Sequence, residues 1–432
     1  MEITMSSSTL TPKITGNTVK TDIMWILAIY GCAVGSGSLF WPVSLGSAGL
    51  WSMMILLALA FPVTYFTYRV LSLYISAGTV TRTSKSNLID TTNELLGGKA
   101  VKFLTVAYFL IMVPSLAVYA ITMSNTFLDF FKTQMGFPPL NRGATVFGII
   151  FLMSLISLGK TETILKVVGV IVFPFILSLI FFGIMSVPHW NTSFLTAEAN
   201  TTSIPEIAKS LFNNLPVLIF AFSFTPIVSS LVAHYKQTHG EQAFEKINQI
   251  LVLSLIVIIS TVVFFSLGCI FSLTPSDIKE ARLENLTSLS ILARKFDAPW
   301  LAICSQIIIF FAAMKAFLGT FIATRESLIG MALNNFGCND AFSNGTGMRL
   351  VSVVVVFFIT IIPTIANLDV INIIKYFMVP VSVFIVFFLP QYAFYRIPAL
   401  RHLRGGFINW FVILTGICAL FAGVLTIIRH VF

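Results

Sequence analysis

Eleven stretches of this chain come close to or exceed the apolar length that crosses a bilayer, and nothing else in it constrains the fold so strongly. A span needs about 20 mainly apolar residues. The stretches run over 23–46, 49–76, 101–131, 143–159, 163–187, 207–232, 247–273, 298–324, 349–366, 370–395 and 407–430. The third is long and the fourth short, and segment 298–333 is long enough for one helix that emerges into the cytoplasm. Each is expected to be helical, because a segment in hydrocarbon cannot leave its backbone groups unpaired. The predicted fold is an all-α polytopic membrane protein of about eleven transmembrane helices.

Composition agrees with one integral domain. The chain is 57% hydrophobic and only 10% charged, against about 25% charged in soluble domains. Its 42 Phe are spread along the whole length, more than one soluble core usually holds. The net charge of +9 does not point to nucleic acid, because it comes mostly from Lys and Arg in short loops, where it sets orientation in the bilayer. With the N-terminus inside, sixteen Lys and Arg fall on the inner side and eight on the outer. Four of those eight share one loop, 274–297, with Asp277, Glu280, Glu284 and Asp297. The bias predicts an N-terminus inside and a C-terminus outside. Residues 1–21 are polar and Ser/Thr-rich and read as a cytoplasmic tail; no cleavable signal is convincing. Cys32, Cys269, Cys304, Cys338 and Cys418 form no CxxC motif and read as small packing residues.

The first apolar stretch is interrupted by Gly31-Cys32-Ala33-Val34-Gly35-Ser36-Gly37-Ser38, three glycines and two serines in eight residues. A helix weakened there survives if the break lines a cavity and binds something, and secondary transporters use this device at the membrane midplane. A half-helix beginning near Ser38 presents free backbone N–H groups and a positive dipole end, suited to a carboxylate. Gly35 and Gly37 let a ligand come close to the backbone. Tight helix packing on small residues is the alternative reading.

The sixth stretch carries the complement, Pro216-Val-Leu-Ile-Phe-Ala-Phe-Ser-Phe-Thr-Pro226. Pro226 lacks an N–H and obstructs the helix around Phe222. Carbonyls over Phe220, Ala221, Phe222 and Ser223 are then free to face an ammonium group, with Phe220, Phe222 and Phe224 shaping the side-chain end of a pocket. A plain proline kink is the alternative. The second break lies five spans after the first, and an odd number of spans inverts the second unit. The pattern suggests a five-plus-five inverted repeat with the eleventh span added. The expected divisions are a tail over 1–21, a first repeat over 22–187, an outer loop over 188–205, a second repeat over 206–396, and the last helix over 397–432.

Lys315 lies near the middle of the eighth stretch. A buried ammonium there costs several kcal/mol unless paired or neutralised. It can act as a proton carrier or as a fixed cation replacing a bound metal ion; a stem that snorkels to the interface is the bland alternative. Lys375, nearer a span end after Asp369, reads as an ion pair or a snorkelling side chain. Tyr119, beyond Pro114, can place a hydroxyl in the pocket. Arg325 and Glu326 at the inner end of span eight are a candidate gate pair. Asp22 reads as a helix-start charge. No HExxH, Gly-x-Ser-x-Gly or P-loop occurs, so neither an enzyme nor ATP-driven transport is supported.

These residues carry a resemblance. Lys20-Thr-Asp-Ile-Met-Trp25 leading into Tyr30-Gly-Cys-Ala-Val-Gly-Ser-Gly-Ser-Leu-Phe-Trp-Pro42 resembles the start of the bacterial serine and serine/threonine proton symporters of the hydroxy/aromatic amino acid permease family. The resemblance continues at Ala60-Phe-Pro62, Val172-Phe-Pro174, Pro226-Ile-Val-Ser-Ser230, Ser272-Leu-Thr-Pro-Ser-Asp277, Lys315-Ala-Phe-Leu-Gly319 and Arg325-Glu326. It implies eleven helices, a leucine-transporter-like inverted repeat and proton-coupled uptake across the bacterial inner membrane. Gly35, Ser36 and Gly37 match the family's carboxylate-binding turn, and Lys315 matches its span-eight lysine. One departure stands out: where serine carriers place Asn-His before Ser-Pro, this chain reads Ser223-Phe224-Thr225-Pro226.

The expectation is a carrier, not an enzyme, that moves a small neutral amino acid by alternating access. Substrate contacts are expected from Ala33, Gly35, Ser36, Gly37, Ser38, Tyr119, Phe220, Ala221, Phe222, Ser223 and Phe224, with Lys315 in proton coupling. No metal or cofactor is called for beyond a proton gradient, with sodium coupling as an alternative. The expected partners are the amino acid and the lipid bilayer. A larger or aromatic substrate is the first alternative, and an amino-acid-responsive sensor or channel is the rival of another class.

Overall fold

The computed structural model describes residues 18–78, 88–159, 161–195, 203–295, 299–334 and 346–431. Most of the expected tail, Cys338, and the loop charges Arg82, Lys85 and Lys160 lie outside them. All eleven apolar stretches fall on helix. The first is split into α1 (Thr18–Ala33) and α2 (Ser36–Gly46), which meet at 59°. Then come α3 (Leu50–Ala77), the short α4 (Leu88–Leu96), α5 (Gly98–Thr133), α6 (Arg142–Ser157) and α7 (Thr161–Ser186). The sixth stretch is also split, into α8 (Ile204–Ala221) and α9 (Thr225–His239). It is followed by α10 (Ala243–Ser272), two short helices, α11 (Pro275–Leu283) and α12 (Ser288–Ala293), and α13 (Pro299–Asn334). The chain closes with α14 (Thr346–Ile365), α15 (Val370–Arg396) and α16 (Gly406–Val431).

Among the described residues, seven helical stretches are long and apolar enough to cross a membrane, and the bent α1–α2 pair makes an eighth. One of the seven is a 48-residue run, Thr225–Ser272, in which α9 passes into α10. The other apolar stretches are shorter: α6 with 16 residues, the apolar part of α14, and α8 with 18. Phe103, Phe173, Leu177, Phe358, Ile362, Phe407 and Trp410 are exposed. On a soluble protein such a surface would be a liability; on these helices it meets lipid.

Two 36-residue helices, α5 and α13, pack along each other and form the most extensive contact in the molecule. At 1.5 Å per residue each is roughly 54 Å long and outruns the hydrocarbon. They share an apolar cluster with α6 and α14, built on Leu116, Met123, Ile150, Met153, Phe317 and Val356. A larger cluster holds α1, α2, α3, α7 to α10, α15 and α16 together. In α15 two wide turns, Ile374–Met378 and Phe384–Phe388, precede Pro380 and Pro390. A proline ring clashes with the carbonyl four residues back, and a π-turn makes room for it.

Candidate functional site

At the first break the amide of Val34 donates to Tyr30 O (2.8 Å), the last helical bond of α1. Gly35 then turns extended (φ −143°, ψ −151°) and α2 begins at Ser36. The first-turn amides of α2 have no intrahelical acceptor, as at any helix start, and Gly35 has no side chain to cap them. The Ser38 hydroxyl donates to Gly35 O (2.7 Å), so it steadies the turn locally. The absent side chain at Gly37 has a neighbour: a Cβ there would lie 2.5 Å from Cε1 of Phe220, on the other broken helix. One at Gly35 would meet only Ala316 Cβ, at 3.4 Å. Ala33 and Ser38 are buried. The two breaks therefore touch, through Gly37 and Phe220, and through Trp41 and Phe222, whose rings meet edge-on at 6.1 Å.

The second break spans Phe222, Ser223 and Phe224, between Ala221 and Thr225. Pro226 sits at the start of α9, where its missing N–H is harmless. The residue that closes this break is Tyr68 of α3, which local sequence pattern did not single out. Its hydroxyl accepts from the amide of Phe224 (2.8 Å) and shares hydrogen bonds with the hydroxyls of Ser223 and Thr225 (both 3.0 Å). Its ring stacks on Phe224 at 3.7 Å. A buried tyrosine needs a partner for its O–H, and Tyr68 finds three at the one place where the helix ladder stops. The same span carries Tyr65, Tyr74 and Arg69 as well, so its local sequence does not set Tyr68 apart.

Lys315 comes to the first break rather than the second. Its Nζ donates to Val34 O (2.9 Å), a carbonyl that α1 leaves unpaired. It also lies 4.9 Å from the centre of the Phe175 ring on α7. Only 2% of the residue is exposed, and no carboxylate lies within ion-pair distance among the described residues. The negative end of the α1 dipole and the face of an aromatic ring answer its charge.

The remaining predicted residues divide. Tyr119 is half-buried on α5, beside Thr320 of α13, and reaches the same region electrostatically through Cys32. Arg325 and Glu326 lie about ten residues beyond Lys315, some 15 Å along α13, outside the break region. Glu326 is exposed, with Arg325 and Tyr108 as its electrostatic neighbours. The reading of the cysteines as packing residues holds for buried Cys269 but not for Cys32, which is exposed. Cys32 faces the space between the breaks, with the Ile227 amide at the start of α9 against its sulfur and Lys315, Tyr68, Tyr108 and Tyr119 nearby.

Each end of the bundle carries a polar latch. At one end Asp22 pairs with Lys246 (2.6 Å) and accepts from the Tyr235 hydroxyl (2.6 Å), tying α1 to α10 and α9. It does so from inside α1 rather than as a helix-start charge, since α1 begins at Thr18. At the other end Arg294 bonds Asp129 (2.6 Å), Glu284 (2.8 Å) and Glu280, and Gln306 donates to Asp129 (2.7 Å). Beside it Asn125 donates to Asn367 Oδ1 (3.0 Å) and Asn285 O (3.1 Å). Asn285 (φ +53°) and Asn367 (φ +49°) are the non-glycine residues in left-handed conformation among the described residues, which asparagine tolerates best. The loop ion pair Lys295–Asp277 (2.7 Å) and the Thr274 cap of α11 hold Asp277 below the usual carboxylate range, against the upward push of burial.

Broken helices that touch, a buried lysine at one break and polar latches at both ends describe a membrane carrier, and comparison with known proteins agrees. The tryptophan/tyrosine permease family model matches residues 20–391. The chain is 31% identical over 426 residues to the serine transporter SdaC of Escherichia coli K12, covering 98% of each chain. It is 30% identical to the threonine/serine transporter TdcC of Edwardsiella tarda, over 92% of this chain and 94% of that one. TdcC of Yersinia enterocolitica is 28% identical over 93% of this chain. With a match that runs through both breaks and past Lys315, this multi-pass membrane protein is a transporter and belongs to the tryptophan/tyrosine permease family.

Proposed function

We propose that the protein takes up a small neutral amino acid of the serine/threonine kind across the bacterial inner membrane, coupled to protons, by alternating access. The observation that carries this is the bond from Lys315 Nζ to Val34 O at the broken first helix. It puts a proton-bearing group on the backbone that would form the carboxylate site. In this reading the substrate carboxylate sits on the amides of Gly35 to Ser38. Its ammonium meets carbonyls at Phe220 to Ser223, with Phe224 and Tyr119 bounding the side-chain end. Binding and release of a proton at Lys315 changes its hold on Val34 O, and with it the angle between α1 and α2. The names of the relatives support serine and threonine as substrates. The Phe224 ring favours a less polar side chain.

The chain is read as two inverted five-helix units, 22–187 and 206–396, with 397–432 added and 188–205 as an outer loop. The second apolar cluster supports that division: α5 and α6, third and fourth spans of one unit, pack on α13 and α14, third and fourth of the other. The loop charges support a cytoplasmic N-terminus. In that orientation Asp22 and Lys246 latch the inner end and Arg294 the outer, and Arg325 and Glu326 form an inner gate.

The test is uptake of labelled amino acids into proteoliposomes under an imposed proton gradient, with and without an uncoupler. Saturable, uncoupler-sensitive accumulation of serine or threonine is expected. Accumulation of only larger amino acids moves the specificity to the aromatics of the second break. Absence of gradient-driven uptake of any amino acid overturns the symporter reading.

A further inference from the structure

Three arginines stand together where α15 turns into α16. Arg396 ends α15, and Arg401 lies in the 3-10 helix Pro398–Leu403 that follows. Arg404 is one turn further on, its amide donating to Arg401 O (3.3 Å). All three are exposed, and their side chains make no hydrogen bond or ion pair among the described residues. Neither 370–432 nor α3, which packs against both helices, contains an Asp or Glu to answer them. Other cations at this end of the bundle have partners: Lys246 has Asp22, Lys236 has the carbonyls of Ser76 and Gly78, and Arg69 lies over the Phe244 ring. The corner is also firmly built. Leu400 is buried beneath it, and a buried amide pair fastens it: Gln391 Nε2 donates to Asn409 Oδ1 (2.9 Å), and Asn409 Nδ2 donates to the carbonyls of Leu403 (2.6 Å) and Gly405.

Exposed aromatic rings fix the depth of the corner. Tyr392 and Tyr395 lie near the end of α15, and Phe407 and Trp410 at the start of α16. Tyrosine and tryptophan rings favour the boundary between hydrocarbon and headgroups. The arginines lie between these rings in the chain and on the water side of them, which is the level of the lipid phosphates. A guanidinium holds a phosphate through two parallel N–H bonds, and basic side chains just outside a span attract anionic headgroups. We infer that this corner is a binding site for an anionic phospholipid, with the headgroup phosphate held by Arg396, Arg401 and Arg404. In the orientation that the loop charges support, the lipid belongs to the cytoplasmic leaflet. α16 also packs against α8, the first half of the second break, so a lipid there steadies the helix on which α8 leans.

The experiment is fluorescence quenching of Trp410 in full-length protein reconstituted into phosphatidylcholine vesicles. Phosphatidylglycerol or phosphatidylcholine with brominated chains is added at rising mole fraction, and the Trp410 signal is the difference from Trp410→Phe. Each arginine near an anionic surface strengthens binding roughly fivefold. Half-quenching is therefore expected at a mole fraction of brominated phosphatidylglycerol at least about fivefold below that of brominated phosphatidylcholine. Arg396→Gln, Arg401→Gln and Arg404→Gln together are expected to remove this preference and to keep the phosphatidylcholine curve, which reports that the variant is still folded. The same three positions changed to lysine are expected to keep part of the preference, because the charge stays and the paired N–H geometry is lost. Equal quenching by the two lipids in the wild type, or a preference that survives the glutamine substitutions, overturns the site. Loss of the preference on adding inorganic phosphate, but not chloride at the same ionic strength, means that the corner holds a free anion and overturns the lipid assignment.

Discussion

The ammonium of Lys315 bonds the carbonyl of Val34, 281 residues earlier, at the point where the first helix stops. A carbonyl left unpaired in hydrocarbon is expensive, and here a side chain from another helix supplies the donor. Replacing Lys315 by Met keeps the volume and removes the donor. We expect loss of proton-driven accumulation, with residual exchange of labelled for unlabelled substrate across the vesicle membrane. Stability should fall by about 1–3 kcal/mol for the orphaned carbonyl. Normal gradient-driven accumulation by the variant would falsify the coupling role.

Gly37 and Phe220 set the distance between the two breaks. Gly37→Ala places a Cβ 2.5 Å from the Phe220 ring, and overpacking of that kind costs about 1–3 kcal/mol. Uptake should drop steeply in the single variant and recover in part when Phe220→Leu is added. Equal uptake by the two variants would show that the glycine is not there for the ring.

Tyr68 closes the second break. Tyr68→Phe leaves the buried amide of Phe224 without its acceptor and should cost about 1–3 kcal/mol. Binding should weaken together with a lower melting temperature. Unchanged affinity with lowered stability would make Tyr68 a packing residue and remove it from the pocket.

These cases show what local pattern reveals. Both breaks stand out because glycine, serine and proline interrupt apolar runs that otherwise read as helix, and Lys315 stands out because a charge in such a run is costly. Tyr68 lies 156 residues before Phe224, and Asn125 lies 242 residues before Asn367. Such pairs exist only once the helices are packed, and each member alone is an ordinary residue in its own segment. Asp22 illustrates the limit: its position suggests a helix-start charge, while its partners, Lys246 and Tyr235, come from α10 and α9.

The latch at Asp22 and Lys246 can be read through Cys32. Asp22→Asn weakens the tie between α1 and α10, so a maleimide should label Cys32 faster than in the wild type. Excess substrate should slow labelling in both. A labelling rate indifferent to Asp22 and to substrate would separate Cys32 from the transport path.

Asp277 gives a pH dependence with a definite sign. Its pKa lies below the usual value of about 3.8 because Lys295 and Thr274 hold the charged form more strongly than burial disfavours it. The stabilisation is present above the unfolded value and is lost as pH falls through the folded one. Protection against hydrogen exchange over 274–283, taken relative to the intrinsic rate at each pH, should fall on acidification below the ordinary carboxylate range. Asp277→Asn should exchange faster at pH 7 and lose most of that difference in acid.

Lys315 also has a consequence for supply. A free cation that supported the first break would have to be present in the medium, and transport would follow its abundance. An ammonium tethered to α13 is always at hand, at an effective concentration fixed by the fold and not by the surroundings. Under the proton coupling proposed above, the surroundings act on it through its proton. A carrier built this way is expected to work in fresh water as well as in brine.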